Sequence, residues 1–139
     1  MSIPNRHFEE SYDRLFGNLG LGECHSNRFF ASFYHRFTQD PLVSTMFSST
    51  DDQKQIHMLK RSVFDLAGFY VTGIPSAELN RLATLHKQLN VQAELLDLWL
   101  MALLDTVQQF DPLSNELVQA GWTCAMLPGI TLIRLKLME

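Results

Sequence analysis

The chain has 139 residues and a mass of 16.0 kDa, the size of one domain. Hydrophobic residues make up 46% and charged residues 19%, an ordinary globular balance that excludes long disorder. Lys and Arg number 11 against 15 Asp and Glu, a formal charge of -4 with no basic block, so a dedicated nucleic-acid binder is excluded; no apolar run approaches the roughly 20 residues of a membrane helix.

Pro4-Asn5 opens a first helical pattern ending near Gly17, with Phe8, Tyr12 and Leu15 on one side. The stretch GNLGLG then breaks the chain. Ser26 is positioned to cap a second helix, which proline stops at Asp40-Pro41. Its apolar stripe is Phe30, Phe33, Tyr34 and Phe37. The segment PLVSTMFSS reads as irregular. Thr50-Asp51-Asp52-Gln53 reads as a capping box for a long helix reaching about Tyr70. Gln55, Leu59, Leu66 and Phe69 share one side of that helix, with Val63 beside them.

Gly73 and Pro75 break the chain again, and Ser76 caps a fifth helix with Leu79, Leu82, His86 and Leu89 inward. A further helix spans about Gln92 to Gln109 and bears Leu95, Leu98, Trp99 and Leu103. The last runs from Pro112 toward the C-terminus, with Leu117 and Trp122 and a kink expected at Pro128-Gly129. Nothing reads as a strand. The fold class is all-α, with six or so helices and no heptad repeat.

The first residues, MSIPNRHFEESYDRLF, hold no apolar signal core, which leads to the expectation of a cytoplasmic protein. Cys24 and Cys124 lie far apart and belong to no Cys-x-x-Cys pair, so two reduced thiols are expected rather than a zinc site or a disulfide. GNLGLG lacks the dinucleotide fingerprint's spacing and preceding strand. No metalloprotease helix, EF-hand loop or nucleophile elbow is present. Asp51 and Asp52 read as first-turn acids favoured by the helix dipole.

Two features stand out. Ten residues are Phe, and five of these fall between Phe29 and Phe47, a density that suits either an apolar pocket or an aromatic core. Among the histidines His7, His25, His35, His57 and His86, only His86 replaces an aliphatic residue in an apolar stripe. An imidazole aimed into apolar space costs free energy unless its nitrogens are satisfied. It is either a core histidine bonded to a backbone carbonyl or an axial metal ligand in an apolar cofactor slot.

Three stretches, FYHRFTQDPLVSTMF (33–47), TDDQKQIHML (50–59) and LATLHKQLNV (82–91), point at one slot. In their order and spacing the chain resembles a bacterial single-domain globin, related to the globin domain of flavohaemoglobins and to truncated haemoglobins. The resemblance covers roughly Phe29 to Trp122. It implies a single globin domain over 1–139 with six to eight helices in a three-over-three sandwich, favoured by the full-length first helix. It implies haem b as cofactor, with His86 as proximal iron ligand. Phe47 would wedge against the porphyrin, with Leu82 and Val91 also at the cofactor. Tyr34, Gln55, Leu59 and Trp99 would line the distal side, and a shift of one residue in the Gln55 helix would bring His57 toward the iron. The family pattern is departed from at Leu96, where flavohaemoglobin-type globins carry a tyrosine, and at Pro128 inside the last helix. Of the paired glycines common near the distal helix of truncated haemoglobins, only Gly68 and Gly73 appear.

The implied function is reversible binding of O2, NO or CO, for oxygen binding or storage or for NO detoxification. NO dioxygenase-type turnover would need an external reductase, since no flavin or nicotinamide domain is visible. The resemblance gives Tyr34 the leading role in bonding bound O2, so that Tyr34→Phe is expected to speed O2 release. The alternative is a globin-like sensory or protein-interaction module without haem, in which His86 is structural. No nucleic-acid or membrane partner is expected.

Overall fold

Seven helices account for all the regular structure in the computed structural model, which describes residues 4–17 and 22–139. They are α1 (Arg6–Phe16), α2 (Gly22–Phe37), α3 (Pro41–Met46), α4 (Asp52–Thr72), α5 (Ala77–Gln88), α6 (Glu94–Phe110) and α7 (Glu116–Leu137). No described helix is long and apolar enough to cross a membrane. Their packing is that of a three-on-three helical sandwich, with α1, α4 and α5 against α2, α6 and α7.

Side-chain caps set most of the starts, because the first N–H groups of a helix have no partner within it. Asn5, Asp40, Asp51, Ser76 and Asn115 each accept from a backbone N–H of the first turn they precede. Four boundaries differ from the sequence reading. α2 already runs from Gly22, so Ser26 is a buried residue inside it rather than its cap. The PLVSTM segment is a helix, with Asp40 capping it and Pro41 in the first turn, where a missing N–H costs nothing. α4 is capped by Asp51; the Thr50 hydroxyl instead donates to the Phe47 carbonyl. α7 begins at Glu116, four residues after Pro112, because Asn115 supplies the cap. Most of the glycine-rich stretch after Gly17, and the Cys24 side chain, lie outside the described residues; Cys124 is a free, exposed thiol.

α7 stays helical through Pro128. The residue faces outward, so the backbone acceptor it frees lies on the wet side. Next to it, Gly129 permits a close approach of α4: a Cβ there would stand 1.8 Å from Leu66 Cδ2. Gly73, at φ 73°, ends α4 in the left-handed region that glycine favours.

The phenylalanine excess divides in two. Phe8, Phe16, Phe29, Phe30 and Phe64, with Tyr12 and Trp122, form a continuous set of edge and stacked ring contacts where α1, α2, α4 and α7 meet. Below this cluster the Asp111 carboxylate is 2% exposed. It accepts from both Nε and Nη2 of Arg14 at 2.8 Å and from the Ser11 hydroxyl at 2.6 Å. Ser11 in turn accepts from the Trp122 indole N–H at 2.9 Å. Burial pushes the Asp111 carboxyl up, but these bonds and the charge of Arg14 outweigh it and hold the group below its ordinary value.

Candidate functional site

Phe37, Phe47 and Trp99 border a cavity of about 400 Å³ enclosed by α2, α3, α4, α5, α6 and α7, within the range of small-molecule and cofactor sites. Phe37 contributes from the end of α2, and Val43, Met46 and Phe47 from α3 and its C-cap. Gln55, Leu59, Ser62 and Leu66 line it from α4, at the spacing of one helix face. Leu82, Leu85 and His86 come from α5, Val91 from the following turn, and Leu95, Leu96 and Trp99 from α6. Ile130 and Ile133 of α7 close it. Among the described residues the wall carries no Asp, Glu, Lys or Arg.

His86 is the polar group of the α5 wall. Its Nδ1 lies 2.8 Å from the Leu82 carbonyl oxygen one turn back. A carbonyl only accepts, so Nδ1 carries the proton and the lone pair is left on Nε2. Burial holds the imidazole below its ordinary pKa, and the Leu82 bond offsets this only in part, so the ring is neutral near pH 7. A neutral imidazole with a fixed tautomer and a free nitrogen, in an apolar enclosure, is a metal-ligating arrangement. Among the described residues no group of three or more His, Cys, Asp or Glu gathers to hold a bare ion. A metal at His86 would therefore arrive with most of its ligands already supplied by a cofactor, and a flat apolar one suits these walls.

Of the residues singled out from the sequence, the structure brings His86, Gln55, Leu59, Trp99, Phe47, Leu82 and Val91 together around the cavity. Tyr34 is not among them. It is one residue past Phe33, and about 100° of helix rotation separates the two. Phe33 points inward, fully buried, with its ring 5.5 Å from Trp99. Tyr34 packs its ring against Phe47 at 6.2 Å and donates its hydroxyl to Asp52 Oδ1 at 2.9 Å. Burial first, and then the carboxylate, push the phenol up and keep it protonated. His57 is exposed and outside the cavity, so the register of α4 puts Gln55 inward. Leu89, expected inward, is 59% exposed at the C-cap of α5 and only edges the opening.

Sequence reasoning missed Val43 and Met46, whose segment read as irregular, and the Ile130 and Ile133 pair. The latter three-residue spacing was visible, but the expected kink at Pro128 obscured it. Two hydrogen-bond donors on the wall, the Gln55 amide and the Trp99 indole N–H, have no partner among the described residues, whereas the Ser62 hydroxyl is committed to the Leu59 carbonyl.

No protein-family profile matches the chain, and no curated protein matches it. Among solved structures it is similar to a Pseudomonas aeruginosa protein described as structurally highly homologous to a human haemoglobin. The two share 30% sequence identity over 95% of this chain and 96% of that one, with a TM-score of 0.79.

Proposed function

The chain belongs to the globin family, and from that membership we propose that it is a haem-binding globin that reversibly takes O2, NO or CO. The observation that carries the reading is His86: a neutral imidazole tied by Nδ1 to Leu82, lining an apolar cavity with Nε2 available.

In this reading His86 Nε2 would hold the iron, and the Leu82 carbonyl, bonded to Nδ1, would fix the ring plane and raise the basicity of the ligating nitrogen. Phe47, Leu82 and Val91, with Leu66, Leu96 and Ile130 of the same wall, would pack against the porphyrin. Haem b, held at His86, would supply an iron able to bind a diatomic ligand. From the α4 wall Leu59 would exclude water and Gln55 would offer its amide N–H₂. The Trp99 N–H is a second donor. Both groups would bond a ligand that carries partial negative charge, as bound O2 does, more strongly than CO. Oxygen binding or storage would use the site in this form. NO detoxification would use the same residues with electrons from a separate reductase.

The test is the visible spectrum of the ferric, ferrous and CO-bound protein. A Soret band that shifts with CO is expected. His86→Ala is expected to take up haemin far more weakly, with recovery on adding imidazole. A colourless protein that refuses haemin would overturn the proposal in favour of a haem-free interaction module. Unchanged uptake by His86→Ala would move the metal to another ligand.

A further inference from the structure

Beside the cavity lies a second, more open recess, and the two share a wall. Asp40, Leu42, Thr45 and Met46 bound the recess from α3 and its cap, and Gln92 and Leu95 from the start of α6. Met46 and Leu95 line the cavity as well, so one layer of side chains separates the two spaces. Met46 is 40% exposed and Leu95 7%, which puts the methionine at the outer edge of the wall and the leucine at its foot. Among the described residues none of α4 or α5 lines the recess. The cavity's own opening is edged by Met58 of α4 and by Leu85 and Leu89 at the end of α5. The recess is therefore a separate approach.

Two of the three polar groups at its rim are committed to the chain itself. Asp40 Oδ1 accepts from the Leu42 N–H at 2.9 Å as the cap of α3, and the Thr45 hydroxyl donates to the Pro41 carbonyl at 2.7 Å. A charged solute finds few replacements there for the water it would lose, whereas a small uncharged molecule needs none. The elements that carry the wall are also lightly held. α3 has only six residues, and α6 starts at Ala93 with no side-chain cap bond to its first turn. Met46 has an unbranched side chain with three rotatable bonds, so its thioether can swing aside without moving the backbone.

We propose that the recess is a side entrance, in which uncharged molecules of the size of O2, CO or xenon collect and from which they pass into the cavity between Met46 and Leu95. A cofactor that closed the opening between α4 and α5 would leave this route free. The route itself does not require haem; only its effect on CO binding rests on that reading.

Two measurements on the cofactor-free chain test it. Xenon enters apolar cavities, and under xenon the methyl NMR signals of Leu42 and Thr45, which line the recess alone, should shift together with those of Leu59 and Val91, which line the cavity alone. Quenching of Trp99 fluorescence by dissolved O2 should rise about twofold in Leu95→Ala and fall about as much in Met46→Phe, while the fully buried Trp122 is common to every variant. Met46 is partly exposed, so the second variant decides the matter if Leu95→Ala does not fold. In the haem-loaded protein, CO association after flash photolysis should change in the same two directions by at least threefold, and Leu89→Ala at the other opening should change it less than either. Xenon shifts confined to Leu59 and Val91 would overturn the proposal. So would quenching and CO association that ignore Met46 and Leu95 and follow Leu89. A chain that refuses haemin but gives both cofactor-free results would overturn the haem reading and leave the side entrance standing.

Discussion

The Tyr34 hydroxyl donates to Asp52 Oδ1 at 2.9 Å, joining α2 to the first turn of α4 across 18 residues of chain. A phenol committed to a carboxylate outside the cavity is not free to bond a ligand inside it. Tyr34→Phe is therefore expected to leave O2 release close to wild type, while costing about 1 kcal/mol of stability, a few degrees in Tm. Stopped-flow dissociation and thermal melts measure the two effects separately. A strongly accelerated release would show that Tyr34 leaves Asp52 and turns inward when the site is filled.

In the proposed haem-bound form Gln55 and Trp99, which line the cavity, would take the donor role that the resemblance gives Tyr34. Gln55→Leu, similar in size and without the amide, should accelerate O2 dissociation ten- to a hundredfold, from the loss of about 1.5–3 kcal/mol of hydrogen bonding in a dry site. Trp99→Phe should act in the same direction. CO dissociation should change much less in both. Equal effects on the two gases would point to altered packing instead of a lost bond.

Asp111→Ala should destabilise the chain by about 3 kcal/mol, because it strands Arg14 and Ser11 and breaks a buried ion pair. Haem uptake should persist, since none of the network lines the cavity. The pH dependence has a defined sign. The folded carboxyl titrates below its ordinary value, so its stabilising effect is full above the unfolded pKa of about 3.9 and is lost as pH falls from there through the folded pKa. Denaturant midpoints from neutral pH down to acid should fall more steeply for wild type than for Asp111→Ala. Parallel curves would remove Asp111 from the acid response.

Gly129→Ala would put a methyl 1.8 Å from Leu66 Cδ2. Leu66 is buried and lines the cavity, so the easiest relief is rotation of its isobutyl group into the slot. Haemin affinity should drop by at least tenfold, more than the change in Tm alone would suggest. A titration with haemin, set beside a melt of the unloaded protein, checks this. Unchanged affinity with a large drop in Tm would mean that α4 moves away bodily.

How much of this was legible in the sequence depended on the period of the signal. The α4 and α5 faces carry regular i, i+4 patterns, the resemblance to the globin family then assigned Gln55, Leu59, Leu82 and His86 to one slot, and all four line the cavity. The role of Tyr34 came from the resemblance, and periodicity could not check it because Phe30, Phe33, Tyr34 and Phe37 span a wide arc whose centre and edge look alike; its hydroxyl goes to Asp52. The short α3 was lost because Ser and Thr residues suggest turns, while its start depends on the Asp40 side chain and on Pro41 in the first turn, which restrains backbone torsion. The rim at Leu85 and Leu89 depends on where α5 ends, a boundary that no strong cap announces. The Asp111 network was invisible because Ser11 and Arg14 meet it across about a hundred residues of chain.

The ring cluster of Phe8, Tyr12, Phe16, Phe29, Phe30, Phe64 and Trp122 shares no member with the cavity wall. One end of the molecule thus condenses around its own side chains, and the other stays hollow. A ligand that binds the folded form in the hollow would add its binding energy to the stability of the whole.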